Sequence, residues 1–153
     1  MAILCALILG FVAGLRSMLA PAAISWAAGS GILNVDRTPL AFMGYRYTPI
    51  IFTVLALGEL IADKLPFTPS RKSPPAFGAR IVSGALTGAT IGTAVHSLAL
   101  LMILGAVGAV MGTLAGAGVR ARLAALFHRD LPAALIEDVF AILLACLSVR
   151  GLK

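Results

Sequence analysis

Charged residues are scarce in this sequence of 153 residues. Asp, Glu, Lys and Arg together make up 12% of it, against roughly 25% in ordinary soluble domains. Hydrophobic residues make up 60%, and the mean hydropathy is +1.03. A soluble core of this length has too little volume to bury so many apolar side chains. The composition excludes a soluble enzyme and a disordered chain. It predicts an all-α, polytopic transmembrane bundle with one domain over residues 1–153.

Cysteines and motifs of known chemistry are also few. The two cysteines, Cys5 and Cys146, lie in separate apolar runs without CxxC spacing. This excludes a disulfide framework and predicts two small buried side chains. The sequence contains no GxSxG, HExxH or phosphate-binding loop, and the HRD triplet at 128–130 lacks the other parts of a kinase site. We therefore expect no enzymatic activity, no metal and no cofactor.

Acidic residues are outnumbered by basic ones, 6 against 12. The cations fall in short loops between apolar runs, where Lys and Arg set the orientation of membrane helices. We therefore expect membrane lipid as a partner and no nucleic acid. The cation bias favours a cytoplasmic N-terminus and a periplasmic C-terminus. The cytoplasmic group comprises Lys64, Arg71, Lys72, Arg80, Arg120, Arg122 and Arg129, and the other group comprises Arg37, Arg46, Arg150 and Lys153.

The apolar runs predict about five membrane spans, because about 20 residues cross the hydrocarbon core as a helix. The first run contains Arg16 and Pro21 and lacks the basic start of a signal peptide, so we expect a kinked first helix, bent near Pro21. Four spans is the alternative, if the first segment only lies in the interface. The predicted spans are residues 1–28, 48–64, 79–95, 97–119 and 131–149.

Residues 81–119 carry no Asp, Glu, Lys or Arg, so this stretch is long enough for two helices with a turn near Thr93–Ser97. A short interfacial segment is predicted at Leu40–Tyr47. Aromatic side chains mark the two membrane surfaces in many proteins. The outer belt would contain Trp26, Tyr45 and Tyr47, and the inner belt Phe67, Phe77 and Phe127.

Glycines recur every fourth residue in the third and fourth predicted spans. This spacing places them on one helix face and lets two backbones approach closely. We therefore predict Gly-zipper packing in these helices, either within one protomer or between protomers of a homo-oligomer. A surface along which helices slide is the functional alternative. The residues are Gly84, Gly88 and Gly92 in one helix and Gly108, Gly112 and Gly116 in the next.

Ionisable residues inside the spans are the candidates for function, since burying a charge in a membrane is costly. Arg16 lies near the middle of its span and keeps its charge, so it needs carboxylates, carbonyls or a bound anion. Glu59 and Asp63 share a helix face. Glu137 and Asp138 are adjacent, so we expect only one of them to face the interior. With Arg80 and Arg120 they make a substrate or ion pathway, or a purely structural network of ion pairs.

Two tetrapeptides of the chain are similar, Ala13–Arg16 (AGLR) and Ala117–Arg120 (AGVR), and they suggest a weak internal repeat. Each tetrapeptide precedes a helix with a pair of acidic residues. Two such units separated by one helix would have opposite orientations, as the inverted repeats of many transporters do. The acids fall at opposite ends of their helices, so the repeat and a chance match both remain open.

Several segments resemble a known family. The stretches GLRSMLAPAAISW (Gly14–Trp26), GELIADKLPFTPSRKSPP (Gly58–Pro75), ARIVSGALTGA (Ala79–Ala89) and DLPAALIEDVFAI (Asp130–Ile142) are similar to a bacterial family of small membrane proteins catalogued as domain of unknown function 4126. The resemblance covers most of the chain and implies an integral inner-membrane protein. It carries no activity or site residues to transfer.

The sequence thus predicts a small inner-membrane protein that moves a small solute or ion through an intramembrane site of arginines and carboxylates. Arg16 would bind an anionic group and Glu59 would exchange protons. The alternative is a non-catalytic scaffold or accessory subunit of a membrane complex, with structural ion pairs. A lipid-modifying enzyme is least favoured, since no nucleophile accompanies the acids.

Overall fold

The computed structural model describes residues 1–63, 73–128 and 130–152. Within them the protein is all-helical, with no strand. A short 3-10 helix covers Ala41–Gly44 between the second and third α-helices. The α-helices are α1 (Ala2–Leu15), α2 (Leu19–Gly29), α3 (Thr48–Ala62), α4 (Pro74–Ala94), α5 (Leu98–Phe127) and α6 (Asp130–Arg150).

Helices α3, α4 and α6 match the predicted segments 48–64, 79–95 and 131–149 to within about five residues, whereas α5 continues to Phe127, beyond the predicted end at residue 119. The expected turn between the third and fourth spans is confirmed, because α4 ends at Ala94 and α5 begins at Leu98. Phe77 lies in α4 and Phe127 ends α5. Several predicted membrane-surface residues lie outside the described residues: Lys64, Phe67, Arg71, Lys72, Arg129 and Lys153.

The first predicted span is two helices, and the predicted bend near Pro21 was wrong. The chain leaves the helix at Arg16, which is extended with φ −140° and ψ 108°, and it re-enters at Leu19. Pro21 lies in the first turn of α2, where its missing N–H has no partner to lose. The break therefore comes from the charged residue and its partners, and Pro21 fits the new helix start.

Helix α1 occupies the centre of the bundle, in contact with α2, α4, α5 and α6. Its side chains Ala6, Leu9, Val12 and Ala13 are completely buried. Helix α3 lies at the edge and packs mainly against α2 and the 3-10 helix. The break after α1 is consequently enclosed by four neighbouring helices.

Several glycines lie where a neighbouring backbone leaves no room for a side chain. A Cβ on Gly84 or Gly88 of α4 would collide with backbone of α5. A Cβ on Gly108 or Gly112 of α5 would collide with backbone of α1. Helix α5 therefore touches two helices through different glycine faces, which is why its small residues recur so often.

The other two glycines of the predicted pattern have different surroundings. Gly92 lies against Leu98, 2.7 Å from a Cβ built on it, where the chain turns from α4 into α5. Gly116 is buried and borders a cavity between α1, α5 and α6. The four-residue spacing thus serves helix contacts, a turn and a cavity wall.

The distribution of polarity is the reverse of that in a soluble protein. Large apolar side chains such as Val54 (62% exposed) and Leu147 (62%) cover the outside, whereas Arg16 (1%) and Thr113 (1%) are buried. Cys5 is buried as expected, but Cys146 is exposed on this apolar surface, so the prediction for Cys146 was wrong. Two helices, α5 and α6, are long and apolar enough to cross a membrane.

Glycine-to-alanine substitutions test the close contacts. We expect Gly88→Ala to push α4 away from α5 and destabilise the protein by about 1–3 kcal/mol, the usual cost of overpacking. Gly118→Ala is the matched control, because nothing lies within 4 Å of its Cβ position. That change should stabilise α5 by up to about 1 kcal/mol. Thermal unfolding in detergent measures both, and equal midpoints for the two variants would contradict the packing.

Candidate functional site

The candidate site is the break in the helical path at Arg16–Met18, between α1 and α2. A helix that ends inside a bundle leaves carbonyl groups at its C-terminus and N–H groups at its N-terminus without intrahelical partners. Such groups need other hydrogen bonds when they are buried. Side chains from α3, α4 and α5 provide them here.

Glu59 of α3 binds the start of α2. Its Oε1 accepts hydrogen bonds from the Ser17 N–H (2.8 Å) and the Ser17 hydroxyl (2.9 Å), and its Oε2 accepts one from the Met18 N–H (2.9 Å). A carboxylate is favourable at this position, because the N-terminus of a helix carries a partial positive charge. Glu59 thus acts as an N-terminal cap supplied by another helix.

The C-terminal end of α1 is bound by hydrogen-bond donors, one of which is positively charged. The carbonyl oxygen of Gly14 accepts hydrogen bonds from Arg80 Nη1 (3.1 Å) and from the Thr113 hydroxyl (3.2 Å). The Ser83 hydroxyl donates to the Ser17 carbonyl. Arg80 Nη2 also lies 3.9 Å from Glu59 Oε1. A cation therefore contacts the negative end of one helix and an anion the positive end of the next.

Arg16 itself points to two carboxylates. Its Nε donates to Asp138 Oδ1 at 2.7 Å, and its Nη1 donates to Asp63 Oδ2. Nη2 lies 2.5 Å from the same Asp138 oxygen without a hydrogen-bonding geometry. Because a guanidinium keeps its proton, these two carboxylates balance a charge that is 1% exposed.

Arg120 of α5 extends the network toward α6. Its Nη1 lies 3.3 Å from Asp63 and 3.7 Å from Glu137. Its Nε and Nη2 pair with the two oxygens of Asp130, at 2.9 Å and 2.5 Å. Asp63 therefore contacts both Arg16 and Arg120, and it joins the break to the start of α6.

The structure brings all seven predicted site residues into this one region. Arg16, Asp63, Arg120, Glu137 and Asp138 are linked by ion pairs. Glu59 and Arg80 bind the backbone on either side of Arg16.

One expectation about this region was wrong, because both Glu137 and Asp138 are buried, at 9% and 6% exposure. Adjacent side chains do point about 100° apart on a helix. Both directions lead into the bundle, since Asp138 faces Arg16 and Glu137 faces Arg120. Helix α6 packs against α1, α2 and α5, so it has two inward directions.

Sequence reasoning missed the uncharged members of the site. Ser17, Ser83 and Thr113 supply hydroxyl groups, and Gly14 supplies a carbonyl group. Their sequence signal is weak, since Ser and Thr within an apolar helix usually bond to their own backbone. Thr113 does this as well, to Ala109 at 2.8 Å. Asp130, the partner of Arg120, was also missed, because it lies just outside the predicted span 131–149.

A cavity of about 370 Å³ adjoins the network between α1, α5 and α6. Its walls are mainly apolar, with Phe11, Leu15 and Phe140 among them, and Arg120 and Glu137 border it. No group of three or more metal-binding side chains occurs among the described residues. The cavity is therefore an apolar space that reaches the charged residues from the side of α6.

Removing one carboxylate tests the charge balance. We expect Asp138→Asn to destabilise the protein by about 3–5 kcal/mol, because Arg16 loses a charged partner in a buried position. Asp36→Asn is the control, since Asp36 is an exposed loop residue. Thermal unfolding in detergent gives both values. A midpoint for Asp138→Asn equal to that of Asp36→Asn would show that Arg16 does not need this charge.

Comparison with known proteins identifies one family. Neither the comparison with curated proteins nor that with solved structures gives a match. A family model described as "Domain of unknown function (DUF4126)" matches residues 3–150. The match includes the helix break and every residue of the charge network, and it confirms the resemblance noted in the sequence. The chain belongs to the DUF4126 family.

Proposed function

We propose that this protein is a multi-pass protein of the bacterial inner membrane with about five spans. The broken pair α1–α2 would form the first span, and α3, α4, α5 and α6 the others. The exposed apolar surface supports this location, because apolar side chains are stable in contact with lipid. The buried charges support it as well, because charges within a bilayer need partners. The cation bias of the loops supports a cytoplasmic N-terminus and a periplasmic C-terminus.

The protein moves a small solute or ion with an anionic group through the break in the first span. The observation that best supports this function is that oppositely charged side chains bind the two ends of the break. Broken helices in transporters direct their N-termini at anionic substrates. In this conformation Glu59 occupies the place that such an anion would take.

Proton exchange at Glu59 would free the start of α2 for an anion. A protonated Glu59 loses the negative charge that favours it at the start of α2. The Ser17 and Met18 N–H groups then become available to an incoming anion. Arg16 and Arg80 provide positive charge on either side. The movement of the anion is thereby coupled to that of a proton.

Flux into liposomes tests this function. Purified protein is reconstituted into liposomes that enclose the pH-sensitive dye pyranine. An inward gradient of chloride, phosphate or sulfate is then applied. We expect at least one anion to acidify the lumen faster than in protein-free liposomes. Glu59→Gln should lower that rate at least tenfold, because the amide cannot exchange a proton. Asp36→Asn should retain it.

Two results would contradict anion transport. One is a Glu59→Gln rate equal to wild type, and the other is no acidification above protein-free liposomes with any of the three anions. A reconstituted variant that unfolds would give a false loss, so circular dichroism of the Glu59→Gln protein accompanies the assay. Retained helicity with lost flux supports the proposal.

A second candidate function is that of a scaffold or accessory subunit of a membrane complex. The observation that favours it is the nearly complete burial of Arg16 between two carboxylates, which is also what a purely structural ion pair requires. In that case the charges would serve only the folding of the protein.

Replacing the ion pair by apolar groups separates the two functions. Apolar side chains of similar volume often replace a buried ion pair without loss of stability. The triple variant Arg16→Met, Asp63→Leu, Asp138→Leu should abolish flux if the protein is a transporter. If it is a subunit, the variant should fold and still co-purify from native membranes with the same associated proteins as wild type.

We also propose that the protein is a homo-oligomer, because the small number of helices in one chain is poorly suited to enclosing a pathway. The Gly-zipper faces at Gly84, Gly88, Gly108 and Gly112 are filled by α1, α4 and α5 of the same chain. Contacts between copies would therefore use other surfaces, such as the apolar side chains exposed on α3, α5 and α6.

A further inference from the structure

A second cavity lies at the opposite end of α2 from the charge network. Its volume is about 370 Å³, and it lies where α2 ends and α3 begins. Its described lining residues are Trp26, Gly29, Ser30, Gly44, Tyr45, Arg46 and Pro49. The proposed pathway uses none of them.

We propose that this cavity binds the headgroup of an anionic phospholipid. Arg46 is the one charged side chain among the described lining residues, and no carboxylate accompanies it. It is exposed, and its guanidinium lies 6.0 Å from the ring centroid of Tyr47, which orients it as a cation–π contact. A guanidinium binds a phosphate group with two parallel hydrogen bonds.

The rest of the lining suits the boundary between headgroups and acyl chains. Trp26 is 54% exposed and Tyr45 63%, and such aromatic side chains are enriched at this depth of a bilayer. The indole N–H of Trp26 donates to the Thr53 hydroxyl at 3.0 Å, which fixes the ring as one wall. The cavity thus combines one cation with two aromatic side chains, of which Trp26 is held by a hydrogen bond.

An apolar stripe leads from the cavity along α3. Ile50 follows Pro49 directly, and Val54, Leu57 and Ile61 continue the same face at helical spacing, all about half exposed or more. From Ile50 to Ile61 the helix rises about 16 Å, close to half of the roughly 30 Å hydrocarbon core. A lipid with its headgroup at Arg46 would lay an acyl chain on this stripe, within one leaflet.

This assignment rests on the proposed membrane location and is independent of transport. It differs from general attraction of lipids to basic loops, because it assigns selectivity to one cation beside a cavity. Arg37 is an exposed cation in the loop that precedes this segment, and it does not line the cavity. It serves as the control for attraction without a site.

Trp26 is the only tryptophan of the chain, so the tryptophan fluorescence comes from one wall of this cavity. The protein is reconstituted in phosphatidylcholine vesicles with increasing fractions of either brominated phosphatidylglycerol or brominated phosphatidylcholine. Bromine quenches tryptophan on contact. We expect half-maximal quenching at an about fivefold lower fraction of the anionic lipid, as one arginine near a lipid charge provides. Arg46→Gln should reduce the preference to about one, and Arg37→Gln should keep it.

Three outcomes overturn the proposal. Equal quenching by the two lipids in the wild-type protein removes the selectivity, and an unchanged preference in Arg46→Gln assigns it elsewhere. Displacement of the brominated lipid by inorganic phosphate, but not by sodium chloride of equal ionic strength, identifies a site for the free anion. Flotation of the protein with the vesicles is measured in parallel, because its failure contradicts the membrane location itself.

Discussion

The rest of the structure depends on the ion pairs of Arg16. This side chain is 1% exposed, and its guanidinium cannot become neutral by losing a proton. Asp63 from the end of α3 and Asp138 from α6 must therefore both reach it. The need to bring these carboxylates to one point determines how α3 and α6 approach the central helix.

The same residue explains the helix break. Arg16 is extended, and this conformation releases the backbone of the next two residues to Glu59. On the other side, Gly14 presents its carbonyl group to Arg80 and Thr113. Each charge in the region thus satisfies either an opposite charge or a helix end.

The tight packing of α1, α4 and α5 makes this arrangement rigid. Glycines on these helices bring backbones into direct contact, which leaves little room for the break to relax. Helices α3 and α6, by contrast, lie at the outside with largely exposed apolar faces. The carboxylates of the network all lie on these outer helices or at their ends, whereas its arginines belong to the inner group: the carboxylates are Glu59, Asp63, Asp130, Glu137 and Asp138, and the arginines are Arg16, Arg80 and Arg120. A movement of α3 or α6 would consequently separate opposite charges.

The sequence by itself determined the helical class, the approximate bounds of most helices and seven of the charged residues that meet in the network, but not Asp130. Hydropathy and charge are sufficient for this, because a long apolar run has few alternatives to a helix and a charge within it needs partners. Family membership followed from the quoted segments.

Only the tertiary structure decided how those residues are paired and where the first predicted span is broken. Pro21 was the stronger local signal for a bend, yet the break lies at Arg16, since contacts from residues more than 40 positions away stabilise it. The burial of both Glu137 and Asp138 had the same origin, because α6 has neighbours in two directions. Local patterns specify what each segment can form. The hydrogen bonds between distant segments decide where a helix ends.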